Sequence, residues 1–282
     1  MTPDTPNLMG IMQGRLSPPV AFRMQAFPTG AWQAEFERAR VCGLDLIEWL
    51  FEADDGRGHT YLENPLWSEA GRADIRRKVD ETGIQVKTCC ADYFMPHPFF
   101  RVTPAERQES IAVLNQLIAN AAQVGVQSIL VPVLEISEIR SPEEKAPLLE
   151  SLKGPLDLAA QNNICLGLET ELPAEQYLAL VEDAHHPALG VYYDTGNNAA
   201  QGHDIAADAC ILGPRLVGIH VKDRKRGGSS VLLGQGDADF PAFFTVVKEA
   251  GYGGPVILQT AFGANYLEIA SRHCQSIKDC LR

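Results

Sequence analysis

The segment ALGVYYDTGNNAAQGHD, residues 188–204, is followed by a helical stretch and then by LVGIHVKD, residues 216–223. Its two apolar runs, Leu189–Tyr193 and Leu216–Val221, are short and bounded by Gly and turn residues, as fully buried strands are. One run stops at Asp194 and the other carries His220. A charged group at the end of a buried strand is costly without a partner, which points to a metal or a substrate. The layout repeats: Glu169 ends ICLGLE and Gln259 ends PVILQ. Four consecutive strand-like runs therefore deliver an O/O/N/O set of candidate ligands.

Working outward, the same alternation covers the whole chain. LMGIMQG (Leu8–Gly14), LDLIEWL, IQVKTCC and VQSILVPVLE read as the first four strands, and ICLGLE, LGVYYD, LVGIHVKD and PVILQ as the last four. Helical spacing fills the intervals. Trp32–Cys42 is the first helix; the second starts at Ser68 and stops at Gly83. Thr103-Pro104 opens a third that runs to about Val124. The fourth opens at Ser141-Pro142-Glu143-Glu144, is expected to break or restart near Pro147 and Pro155, and ends around Asn163. Pro173–Ala184, Asp204–Leu212, Asp239–Ala250 and Tyr266–Cys280 complete the set. Eight strand–helix units predict α/β architecture, a single (β/α)8 TIM barrel spanning residues 1–282 as one domain. The near-continuous apolar strands suit a sheet buried on both faces. A doubly wound sheet fits less well, because no G-x-G-x-x-G follows an early strand.

Composition bounds the function. The formal net charge of −12 disfavours nucleic acid and anionic membranes as partners, since both recruit basic surfaces. The seven cysteines are odd in number, scattered, and without a CxxC pair, so they predict neither a disulfide framework nor a thiolate zinc site. The N-terminus has no signal-type apolar run, and no stretch reaches the length of a membrane span; a reducing cytoplasm is the expected location.

In a barrel of this kind the chemistry sits at the C-terminal ends of the strands. That rule selects Gln13, Arg15, Glu48, Asp92, Glu135, Glu169, Asp194, His220, Lys222 and Gln259. Each has a plain structural alternative. Glu169 would cap a helix, Asp194 would open a turn, and His220 would be a hydrogen-bonded core histidine. Glu48 would be a buried carboxylate held by Arg15 or a lysine, and Lys222 an ion pair with Asp194 or Glu169. The conjunction on neighbouring strands favours a site. Hard oxygens with one imidazole suit Mn²⁺ best, with Mg²⁺, Co²⁺ or Zn²⁺ as alternatives. Such an ion polarises a carbonyl or hydroxyl, and Glu169 is the candidate base beside it. Arg15, Lys222, Asp92 and Arg224 are candidate substrate contacts. Arg224-Lys225-Arg226, beside glycine-rich backbone after the seventh strand, suits a phosphate; its alternative is a solvated loop tip. The aromatic loop Tyr93–Phe100, with Trp49 and Phe51, is expected to form an apolar wall against a sugar ring or a subunit contact. His59, His97 and His203 are placed on loops at the active face, as surface histidines or as an acid.

The segments GLDLIEW, ICLGLE, YYDTGN, GIHVKD, LGQGDADF and GYGGPVILQ, in order along the chain, resemble the xylose-isomerase-like barrel superfamily of sugar and sugar-phosphate isomerases and epimerases. The pattern is similar to the tagatose-type 3-epimerases and L-xylulose-5-phosphate 3-epimerase. The resemblance implies metal ligands Glu169, Asp194, His220 and the residue at 259, a sugar or sugar phosphate as substrate, and a homo-oligomer, dimer or tetramer. It also implies two catalytic glutamates, one on each face of the substrate. Glu169 matches the first. The second falls on Gln259, an amide that can ligate but cannot accept and return a proton. Glu48 and Asp92 are the candidate replacements. A one-base isomerisation, a metal-dependent keto-polyol dehydration and a non-catalytic sugar-binding role are the alternatives that this departure opens.

Overall fold

A computed structural model of the chain describes residues 7–19, 23, 25–261 and 263–282. Eight parallel strands close in the order β1-β10-β7-β6-β5-β4-β3-β2. They are β1 (Met9–Met12), β2 (Leu46–Leu50), β3 (Gln85–Cys90), β4 (Ser128–Pro132), β5 (Cys165–Glu169), β6 (Leu189–Asp194), β7 (Leu216–Val221) and β10 (Val256–Leu258). A short hairpin of β8 (Asp223–Arg224) and β9 (Ser230–Val231) stands beyond β7. The helices are α1 (Trp32–Val41), α2 (Glu69–Thr82), α3 (Pro104–Ala122), α4 (Lys145–Gln161), α5 (Ala174–Asp183), α6 (Thr195–Gln201), α7 (Ile205–Leu212), α8 (Phe240–Glu249) and α9 (Tyr266–Leu281). The (β/α)8 reading is thus borne out.

The caps predicted for the second and third helices form, whereas Ser141 makes no cap hydrogen bond to α4. Ser68 Oγ accepts from Gly71 N at the start of α2, and Gly83 ends that helix in the left-handed region, φ 76°. Thr103 and Glu106 make a reciprocal capping box ahead of α3, with Pro104 at its first position. The expected break in the fourth helix does not occur. Residues 142–144 form a separate 3₁₀ turn, and α4 then runs from Lys145 to Gln161 straight through Pro155. Pro147 falls in the first turn, where its missing N–H has no helical acceptor to satisfy. Pro155 is buried on the face toward the barrel, and packing there outweighs the lost hydrogen bond.

Side chains alternate across β6 and divide the molecule into its layers. Tyr193 points outward, donates to Asp208 Oδ2 at 2.7 Å and stacks on Phe243 of α8. Tyr192 points into the barrel. Its ring needs space, and the neighbouring strands supply it: a Cβ on Gly218 would lie 2.2 Å from Tyr192 Cε2, and one on Gly167 2.9 Å from Tyr192 Cβ. The aromatic residues expected to line an exposed wall are core instead. Trp49, Phe51, Tyr93, Phe94, Phe99 and Phe100 are each no more than 2% exposed. Trp49 packs edge-on against Trp32 and donates to Asn64 Oδ1 at 2.9 Å. Each such burial contributes roughly 1.5–3 kcal/mol. No helix among the described residues is long and apolar enough to cross a membrane.

Candidate metal and substrate site

Strand register sets the level of the site. Asp194 on β6 is paired with His220 on β7, and Glu169 closes β5 opposite Pro132 of β4. All three side chains are buried, and one ligand atom from each lies within 4.8 Å of the others. Asp194 also caps α6, accepting from Asn197 N at 2.7 Å through Oδ1. That helix begins directly after the strand because Gly196 packs on the backbone of Lys222, where a Cβ would come within 2.8 Å. Asp194 Oδ2 is left without a hydrogen-bond partner among the described residues, as are His220 Nδ1 and Gln259 Oε1. Buried polar atoms in this condition are costly unless something else meets them. Two oxygens and an imidazole nitrogen, with Glu169 beside them, fit a divalent cation.

The other nitrogen of His220 explains its orientation. His220 Nε2 lies 2.6 Å from Glu48 Oε2, and Glu48 Oε1 accepts from the Tyr192 hydroxyl. Glu48 and His220 are 0% exposed. An unpartnered carboxylate at that depth would cost several kcal/mol, and these two donors offset it. With its Nε2–H directed at a carboxylate, the imidazole presents Nδ1 as a lone pair, the arrangement typical of a metal-ligating histidine. Burial alone lowers the His220 pKa, but Glu48, Glu169 and Asp194 outweigh it and raise it to about 9. The surroundings therefore favour positive charge here, which a cation supplies as well as a proton does. Glu48 is thus held by Tyr192 and His220 rather than by Arg15 or a lysine.

Above this floor opens a cavity of about 530 Å³, lined by Glu169 and Gln259 together with Arg15, Gln25, Asp92, Asn197, Lys222, Arg224, Ser229 and Ser230, among others. Every residue selected from the sequence as a substrate contact lies on this wall. Lys222 Nζ is 3.8 Å from Asp194 Oδ2. Arg224 is steadied by the hairpin, donating to Gly228 O through Nε and Nη2 and to Asn197 Oδ1 through Nη1. Asn197 in turn donates to Glu169 Oε1 at 3.2 Å. Burial raises the Glu169 pKa to about 8, Asp194 and Asp92 adding to the rise and His220 and Lys222 opposing it. Burial lowers Arg15 to about 10, with Asp92, Cys90 and Glu35 opposing it. Asp92 is also raised by burial, while hydrogen bonds from Cys90 and Gln25 pull it back.

Glu135 also lines this cavity, and the other sequence candidates lie elsewhere. Gln13 is buried and accepts from Leu50 N, which ties β1 to β2. His59 pairs with Asp55, His97 stacks on Tyr93, and His203 contacts Asp208; none of the three lines this cavity. Three contributors were not selected from sequence. Tyr192 and Asn197 sit inside the quoted YYDTGN motif, two residues before and three after Asp194. Gln25 lies in a loop whose sequence carries no periodic signal.

The model of the family described as xylose isomerase-like TIM barrel matches residues 36–279. L-ribulose-5-phosphate 3-epimerase UlaE of Salmonella typhi is 25% identical over 249 residues, 86% of each chain. Among solved structures, L-ribulose 3-epimerase aligns with a TM-score of 0.77 at 16% identity, covering 98% of this chain and 94% of that one. A xylose isomerase-like TIM barrel protein from Mycobacterium smegmatis in complex with magnesium aligns with a TM-score of 0.71 at 17% identity, covering 99% and 97%.

Proposed function

The chain belongs to the xylose isomerase-like TIM barrel family, and we propose that it is a metal-dependent isomerase or epimerase of a sugar or sugar phosphate. The reaction moves a proton at the carbon beside the substrate carbonyl. The observation that carries this reading is the buried cluster of Glu169, Asp194 and His220, in which Asp194 Oδ2 and His220 Nδ1 have no hydrogen-bond partner among the described residues, with Glu169 also on the wall of a cavity that Gln259 lines. The named epimerase relatives support it.

Glu169, Asp194, His220 and Gln259 would hold the ion, Mn²⁺ by the mixture of hard oxygens with one imidazole nitrogen. When bound, it would polarise the carbonyl and stabilise negative charge developing on its oxygen. Glu169 takes and returns the proton: it is the carboxylate of the ligand cluster that also lines the cavity, within reach of a substrate held there. Asn197 fixes its orientation. Glu48 acts through His220 as a positioning residue, since both its oxygens are engaged below the cavity. Position 259 offers an amide, so the proton transfer on Glu169's face has no carboxylate counterpart there. Transfer on one face is the chemistry of an aldose–ketose isomerisation. Arg15, Lys222 and Arg224 put three cations on a wall that also carries Asp92, Glu135 and Glu169, and Arg224, on the hairpin after β7, is the group placed to meet a substrate phosphate.

Metal analysis of a folded His220→Ala protein tests the site. Loss of Mn²⁺ binding supports the reading; unchanged metal content would remove its basis.

A further inference from the structure

Oxygen and nitrogen of an amide have nearly the same size, so only the hydrogen-bond direction decides which end of Gln259 faces the ligand cluster. That direction is determined by a chain of groups that reaches it from β3. Asp92 Oδ2 accepts from Gln25 Nε2, and Asp92 Oδ1 accepts from Cys90 Sγ at 3.1 Å. Both partners are donors, so both Asp92 oxygens act as acceptors. Because Gln25 turns its amino group to Asp92, it presents Oε1 on its other side. There it accepts from Gln259 Nε2 at 3.0 Å, with Arg15 Nη2 at 3.5 Å on the same oxygen. Met12 Sδ, an acceptor only, lies 3.6 Å from the same Gln259 nitrogen. Gln259 Oε1 is consequently the end that remains, and it has no hydrogen-bond partner among the described residues.

We propose that Asp92 and Gln25 are positioning residues that orient the Gln259 amide, aiming its carbonyl oxygen at the cation held by Glu169, Asp194 and His220. This rests on the metal site proposed above. The chain is matched to an amide. A glutamate at 259 would accept from Gln25 Nε2, turning Gln25 Oε1 toward the Asp92 carboxylate, acceptor against acceptor. An asparagine at 92 would relieve that clash, whereas in the native chain it removes the direction.

The test is isothermal titration with Mn²⁺ alone of the native protein, Asp92→Asn, Gln259→Glu and the double variant. Asp92→Asn should weaken Mn²⁺ binding about 10-fold beside Gln259, as loss of an outer partner does, and leave it unchanged or tighter beside Glu. Gln25→Met, a substitution in a half-buried loop residue, should behave like Asp92→Asn beside Gln259 and gives a second route if Asp92→Asn does not fold. An equal loss in both backgrounds, or no loss beside Gln259, would overturn the orienting chain while leaving the metal site standing. No Mn²⁺ binding by the native protein would overturn both.

Discussion

The two halves of the barrel mouth are built from different chemistry. On β5, β6 and β7 the cluster is ionic: Glu169 and Asp194 beside His220, with Glu48 behind the imidazole. On the side of β10, the loop after β1 and the end of β3, two amides, Gln259 and Gln25, are linked by a hydrogen bond, Gln25 is bonded in turn to the carboxylate of Asp92, and Arg15 stands beside them. The ionic half supplies charge to attract a cation and a carboxylate able to move a proton. The amide half supplies direction, because the amide ends of Gln25 and Gln259 differ in hydrogen-bond sense. Affinity and proton transfer are therefore expected to depend mostly on the first half, and geometry on the second.

The sharpest way to break this division is Glu169→Gln. It preserves shape and a ligating oxygen but removes the proposed base, and kcat should fall about 10²–10⁴-fold. A loss below tenfold, measured on any substrate the native protein turns over, would shift proton transfer away from the ionic half. Next in size is Glu48→Gln. The amide can offer its NH₂ to His220 Nε2 and so drive the proton to Nδ1, the nitrogen without a hydrogen-bond partner among the described residues. Mn²⁺ affinity should drop about 10–100-fold, read by titration calorimetry, with the far-ultraviolet circular dichroism unchanged. Removing the Arg224 guanidinium by Arg224→Ala should raise KM about tenfold or more for a phosphorylated sugar, the worth of a charged hydrogen bond. It should have little effect on the unphosphorylated sugar, and equal effects on both would place the phosphate elsewhere.

The smallest effect concerns the loop that carries Gln25. Glu35 of α1 anchors it, accepting from Gly14 N and Leu16 N. Burial raises the Glu35 pKa to about 7, although these bonds and Arg38 oppose the rise. A folded-state value above the unfolded one means that the folded protein binds the extra proton. Its contribution is complete below about pH 4.5 and is lost as pH rises through about 7. Glu35→Gln removes this dependence. The difference in Tm between variant and native protein should therefore move in the variant's favour by a few degrees from pH 4.5 to pH 7. A constant difference would contradict the assignment.

What the sequence disclosed follows from the same contrast. Asp194, His220 and Glu169 were legible because they interrupt or end apolar strands, where an ionisable group stands out. Their common level followed from the barrel, since parallel strands in register bring their ends together. The helix α6 was missed because TGNNAAQ, with glycine and two asparagines, has poor helix propensity; Asp194 as its cap and the close approach at Gly196 hold it in place. Glu48 was found, but its partner was not. The Tyr192 hydroxyl crosses the barrel interior to reach it, a contact between residues 144 apart that strand periodicity cannot encode. The aromatic loop was misread as exposed because aromatic density marks a core as readily as a binding wall. Gln25, in a loop rich in proline and phenylalanine, gave no sign at all; only the folded chain brings its amide between Asp92 and Gln259.

Proton transfer itself can be watched without knowing the physiological sugar. The native protein, loaded with Mn²⁺ in deuterated water, would be incubated with a panel of ketoses and ketose phosphates and followed by NMR. Deuterium should enter at the carbon beside the carbonyl of at least one phosphorylated ketose, with no loss of water from the product and no exchange in the Glu169→Gln protein. A metal-loaded protein that exchanges no proton of any sugar, or that exchanges it equally well without Glu169, would contradict the assignment of this site to proton transfer.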